Sequence, residues 1–228
     1  MSDDSEIIDA GPFGEWFTSA RRVLQGRGES DVPCGTCTGC CTSSYYIRIR
    51  AADRAAVTGI ASSYFVRGRG MPPDEVLMGW RHDGTCPALE STGCSVYAQR
   101  PMTCRDYDCR IFAAAGIEAG DERKTVINER VRAWRFRFES DEERHTFDAI
   151  RRAARFIQER VESFPGGGRG VPTAPTGIAV LAIKASSVFL DPKLAERDDV
   201  SIANAVIEAS REFDAEAQTV VVTPSVDR

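Results

Sequence analysis

Cys34-Gly35-Thr36-Cys37-Thr38-Gly39-Cys40-Cys41 decides how this chain is read. Three cysteines recur at every third position and a fourth follows at once; the other four, Cys86, Cys94, Cys104 and Cys109, begin after a gap of 44 residues. The rest of the 228-residue chain has none. Cysteines used only as small buried apolar groups would be scattered over the fold, whereas thiolates at this spacing suit the short chelate loops that wrap zinc or iron. Gly35 and Gly39 give those turns the conformational freedom they need.

Cys40 and Cys41 are the difficult pair. Adjacent side chains diverge in a regular backbone, so both reach one ion only from a strained turn. One of the two is expected to serve a second metal or to stay a free thiol. Eight thiols are enough for two four-coordinate sites or one larger cluster. The spacing leaves zinc, iron and an iron–sulfur cluster open: four thiolates close a tetrahedral zinc site, while the run at 34, 37 and 40 and the Cys86-Pro87 pair echo iron–sulfur ligation. With only His82 and His145 available, a histidine-rich catalytic metal is not expected, and His82 reads as a surface residue. Four thiolates on one divalent ion leave a charge of −2, which needs cations or donors behind the ligands. Arg100, Arg105 and Arg110, which flank Cys104 and Cys109, are the candidates.

Working outward, the 25.0 kDa chain is long enough to bury a core without disulfides, and no apolar run approaches a membrane span. Its acidic opening does not read as a secretory signal, so a cytoplasmic location with reduced thiols is expected. A net charge of −5 gives no general attraction to nucleic acid.

Residues 1–29 read as an acidic segment and a short amphipathic helix around Phe13, Trp16 and Phe17. Residues 30–164 form the cysteine-cluster domain with a following strand and long helix. Within it, Tyr45–Ile49 alternates as a half-buried strand, 51–60 looks helical, and the Gly, Pro and Arg of 67–85 suggest a loop. Val131, Trp134, Phe136 and Phe138 interleave with arginines as in a strand. Ser140-Asp141-Glu142-Glu143 is a capping box opening a helix with apolar positions from Phe147 to Phe164. Residues 165–177 read as a Gly/Pro linker. Residues 178–228 form a C-terminal extension: a short apolar element, a last helix capped by Asp198 or Asp199, and a strand at Thr219–Thr223. The expected class is α+β, mainly helical, around an irregular, metal-stapled centre.

The cysteines, together with Cys86-Pro87-Ala88-Leu89, Gly93-Cys94-Ser95-Val96-Tyr97 and Arg100-Pro101-x-x-Cys104-Arg105-x-Tyr107-x-Cys109, resemble the YkgJ-type cysteine-cluster family, a CxxCxxCC zinc- or iron-chelating domain. The resemblance covers about residues 30–112. It implies metal or iron–sulfur binding by all eight cysteines in a small bacterial protein, but no reaction. A similar cluster occurs in the flagellin lysine N-methylase.

Three functions compete. The first is a metal protein whose cluster is structural, sensing or redox-active. The second is an enzyme using the cluster for alkyl or electron transfer, with Tyr97, Arg100, Arg105 and Tyr107 lining the pocket. The third is a metal-folded module that recognises a protein partner through Arg151, Arg152 and Arg155.

Overall fold

The computed structural model describes residues 7–30 and 32–221. The acidic start, Asp31, and Val222 and Thr223 of the strand expected near the C-terminus lie outside them. Strand β1 (Ile8–Pro12) leads into helix α1 (Phe13–Leu24). Short strands β2 (Ile47–Ile49), β3 (Phe65–Val66), β4 (Val76–Met78), β5 (Leu89–Glu90) and β6 (Gly93–Cys94) follow. Helices α2 (Met102–Asp106), α3 (Arg110–Ala115) and α4 (Thr125–Ala133) precede β7 (Trp134–Arg137). The chain closes with α5 (Asp141–Glu159), α6 (Pro175–Lys184) and α7 (Asp199–Val221). The fold is α+β and mainly helical.

Two compact units divide the chain. One comprises Glu29–Cys109 and Gly120–Arg132 and carries all eight cysteines; the other takes the described residues of Met1–Gly28, Arg110–Ala119 and Ala133–Arg228.

In the cysteine unit, β2, β4 and β3 form a three-stranded antiparallel sheet with β4 in the centre. Ile49, Val57 and Met78 form its core, with Ile47, Tyr64, Phe65 and Cys86 packed against them. The expected loop at 67–85 thus contains the central strand of the sheet. Val76-Leu77-Met78 is a three-residue apolar run hidden between prolines and glycines, too short to register as a strand by alternation. The expected helix after residue 51 is a 3-10 turn, Ala51–Val57.

In the helical unit, β1 pairs in parallel with β7, with a bulge between Asp9 and Gly11 that places Gly11 at φ +89°. Only the second half of the expected 131–138 strand forms, beginning at Trp134; Val131, in the cysteine unit, is buried in α4. Phe13 anchors this end, with its ring 5.5 to 5.7 Å from those of Trp16, Phe17, Phe136, Phe138 and Phe147. Ser140 caps α5 by accepting from the Glu143 N–H at 3.2 Å, and the Glu143 carboxylate returns to the Glu139 N–H at 2.9 Å. The reciprocal half of the capping box therefore falls one residue early.

Helix α5 buries Ala149, Ile150, Ala153, Ala154 and Ile157. Its alanines allow close approach to α6, whose Ile178, Ala179, Leu181, Ala182 and Ile183 are all buried, so it is a central helix. Phe164 keeps the apolar period and is buried, but α5 has already ended at Glu159. Phe164 precedes a proline, which disfavours helical backbone there. The glycines that follow take left-handed conformations; at Gly168, φ +79°, a Cβ would stand 2.6 Å from the Val161 carbonyl oxygen, so only glycine fits. Thr219–Val221, expected as strand, continue α7.

Candidate metal centre

Cys34 opens a turn closed by the Cys37 N–H on the Cys34 carbonyl at 3.0 Å, and the Cys37 sulfur accepts from the Gly39 N–H at 3.4 Å. Gly39 is buried, and a Cβ there would lie 3.4 Å from both the Cys37 sulfur and the Ile127 backbone. Gly39–Thr42 forms a 3-10 turn that carries the adjacent pair. On this tight turn Cys40 is exposed and Cys41 half-buried, and their side chains share a hydrogen bond. That bond, and then desolvation of the sulfur, raises the Cys40 thiol pKa well above its ordinary value.

The second cysteine group is bound to the first through the backbone, where the Cys86 N–H donates to the Cys41 carbonyl at 2.7 Å. The β5–β6 hairpin then sets Cys94 opposite Leu89, returning the chain towards Cys86. Cys104 rides on the single turn of α2, whose start is held from a distance. Asp53, buried in the 3-10 turn, accepts from the Met102 N–H at 3.0 Å and the Arg50 N–H at 3.1 Å. Ser30 holds the other end, donating to the Arg105 carbonyl at 3.0 Å and, through its hydroxyl, to the Asp106 carbonyl at 3.1 Å.

Burial pushes the Cys104 thiol up to about 12, and the charges of Cys40, Cys86 and Cys94 add to the effect. Cys86 is raised by burial and by Cys94 and Cys40, and Cys34 by burial and by Cys40 and Cys37. Cys40 is therefore coupled to thiols of both groups. Cys109 is buried, and the Tyr107 hydroxyl next to it donates to that of Tyr45 at 3.2 Å. Burial raises the pKa of both phenols, and the charges of Cys40 and Cys109 act on each. Both rings therefore line the same thiol-rich region. Among the described residues, no three His, Cys, Asp or Glu side chains stand together as a ready metal cage. The thiols are gathered in one unit without closing on a single point.

Of the expected arginines, Arg100 lowers the Cys104 thiol pKa by its charge. Arg100 stacks over the exposed Tyr97 ring, 4.4 Å from its centroid, and Arg105 pairs with Glu29 at 2.7 Å. Arg110 belongs to the helical unit, where it donates to the Ala10 carbonyl at 3.1 Å. His82 lies exposed in a turn.

Two further arginines act on the thiols, and Lys124 stands beside Tyr45. Arg81 donates to the carbonyls of Cys86, Leu89 and Pro87 at 3.0, 2.9 and 2.7 Å, and its charge lowers the Cys86 thiol pKa. Arg130 donates to the Pro33 and Cys34 carbonyls at 3.0 and 3.3 Å and lowers the Cys34 thiol. Lys124 donates to the Ser43 carbonyl and sits 3.7 Å from the centroid of the Tyr45 ring. A local signal existed only for Arg81, which starts the Asp83-Gly84-Thr85 turn into Cys86; Lys124 and Arg130 reach back from about 90 residues away. The chemistry fits a thiophilic cation: eight soft donors, partly dry, with guanidinium and ammonium groups behind them.

Residues 33–130 match the CxxCxxCC family model, described as a "putative zinc- or iron-chelating domain". The match extends beyond the last cysteine and takes in Lys124 and Arg130. No curated protein and no solved structure matches the chain.

Proposed function

We propose that this CxxCxxCC domain holds zinc or iron through Cys34, Cys37, Cys40, Cys41, Cys86, Cys94, Cys104 and Cys109, as a structural, sensing or redox centre. The observation that supports it most is the hydrogen bond from the Cys86 N–H to the Cys41 carbonyl at 2.7 Å, which holds two sequence-distant cysteine groups side by side. In the metal-free unit burial and the charges of neighbouring thiols oppose the ionisation of Cys34, Cys86 and Cys104, so these donors wait as neutral thiols. Bound metal would supply the positive charge that turns them into thiolates and would staple the two groups together.

The residues around the thiols orient them and offset charge. Arg81 fixes the Cys86–Leu89 loop, Asp53 aims the turn bearing Cys104, and Arg130 lies against the Cys34 turn. Arg105 and Tyr97, with Arg100 stacked on it, border this region from its exposed side. An iron–sulfur cluster is one form the iron could take. The reading carries with it a reducing, cytoplasmic setting; among the described residues, no helix is long and apolar enough to cross a membrane.

Metal analysis of anaerobically purified protein, with an absorption spectrum, tests the proposal. Stoichiometric zinc or iron is expected, and visible absorption separates an iron–sulfur centre from zinc.

A further inference from the structure

The helical unit contains a concavity unrelated to the cysteines. A pocket of about 590 Å³ opens between the C-terminal half of α5, the 3-10 turn Ser186–Leu190 and the start of α7. That volume is in the range of small-molecule sites. Its walls are apolar: the Phe156 and Phe189 rings lie 5.8 Å apart, Ile202 is buried, and Leu190 is 44% exposed.

Its polar groups are mostly cationic. Arg152, Arg155, Arg160 and Arg197 face three carboxylates, those of Glu159, Asp191 and Asp199. Two of these acids are occupied, since Asp199 takes the Arg160 guanidinium at 2.9 Å and Asp191 accepts from the Lys193 N–H at 2.9 Å. Arg152 and Arg197 donate to neutral carbonyls, those of Phe189 at 2.6 Å and Ser201 at 3.0 Å, so their charge is not cancelled. Arg155 makes no hydrogen bond or ion pair among the described residues. Excess guanidinium around apolar walls is complementary to one kind of molecule, an anion with an apolar body. The planar guanidinium fork matches a carboxylate best.

We propose that this pocket binds a small carboxylate carrying an aliphatic chain or ring, with Arg155 receiving the carboxylate and Phe189 and Leu190 packing on the apolar part. The site is independent of the metal reading, and its test does not depend on the centre.

Octanoate, 1-octanol and octyltrimethylammonium are titrated by calorimetry into the full-length protein as purified, with metal content measured alongside. Octanoate should bind one to one and at least tenfold more tightly than either of the others. Arg155→Glu should weaken it at least tenfold, whereas Arg144→Glu, outside the pocket, should change neither affinity nor metal content. Arg155 is exposed, so circular dichroism should show an unchanged fold. Leu190→Asp provides a second variant on the apolar wall and should also weaken binding. Equal binding of the three probes, absence of saturable octanoate binding, or indifference to Arg155→Glu overturns the proposal.

Discussion

The Asp53 carboxylate accepts the Met102 N–H at 3.0 Å across 49 positions of sequence, capping from outside the turn that carries Cys104. This buried acid thus connects the 3-10 turn after β2 with a ligand of the proposed centre. Asp53→Ala leaves two part-buried N–H groups, of Met102 and Arg50, without their acceptor, a loss of about 2 kcal/mol. Denaturant unfolding should report that loss, and metal affinity should fall with it; Asp53→Asn, which keeps one acceptor, should lose less of both.

Arg81→Ala removes a guanidinium that holds three carbonyls around Cys86. Residues that orient metal ligands in this way typically contribute about 10- to 100-fold to affinity. Competition with a chromogenic chelator should show a loss in that range. Arg100→Ala, which removes one charge acting on Cys104, should stay within about 0.5 kcal/mol of the parent in stability and weaken affinity less than Arg81→Ala does.

The thiol shifts fix the sign of a pH effect. Cys104 rises from about 9 to about 12, and Cys34 and Cys86 also rise, so the folded metal-free unit retains protons that the unfolded chain releases. Stability conferred by these groups is full below about pH 9 and is lost as pH climbs towards 12. Thermal unfolding of the metal-free protein should therefore show a falling Tm above pH 9. The metal-bound protein should show the opposite sensitivity, losing metal as acid reprotonates its ligands, and metal uptake at neutral pH should release protons.

Ser140→Ala deletes the cap of α5 in the helical unit. It should cost about 1 kcal/mol in unfolding experiments while metal content stays the same. Loss of metal in this variant would mean that the centre depends on the helical unit.

What could be read in advance follows the range of each interaction. Helix α5 was legible because its cap and apolar period are local, and the eight cysteines because ligand spacing is local too. Where α5 ends was not, since Phe164 keeps the period after the backbone has left the helix. Strand β4 escaped notice because Val76-Leu77-Met78 becomes a strand through its partners on both sides, not through its own pattern. Of the charged groups around the thiols, only those beside a cysteine in the chain were legible. Arg100, Arg105 and Arg110 are adjacent to cysteines in sequence, but Arg105 pairs with Glu29, and Lys124 and Arg130 approach the first group only after the chain has folded back.

The most direct test of the central claim is metal content per chain after anaerobic purification, read together with thiol accessibility. The account predicts at least one equivalent of zinc or iron, cysteines protected from a thiol reagent, and release of that protection by a strong chelator. Less than one equivalent, with eight thiols reacting equally fast before and after chelation, would contradict it.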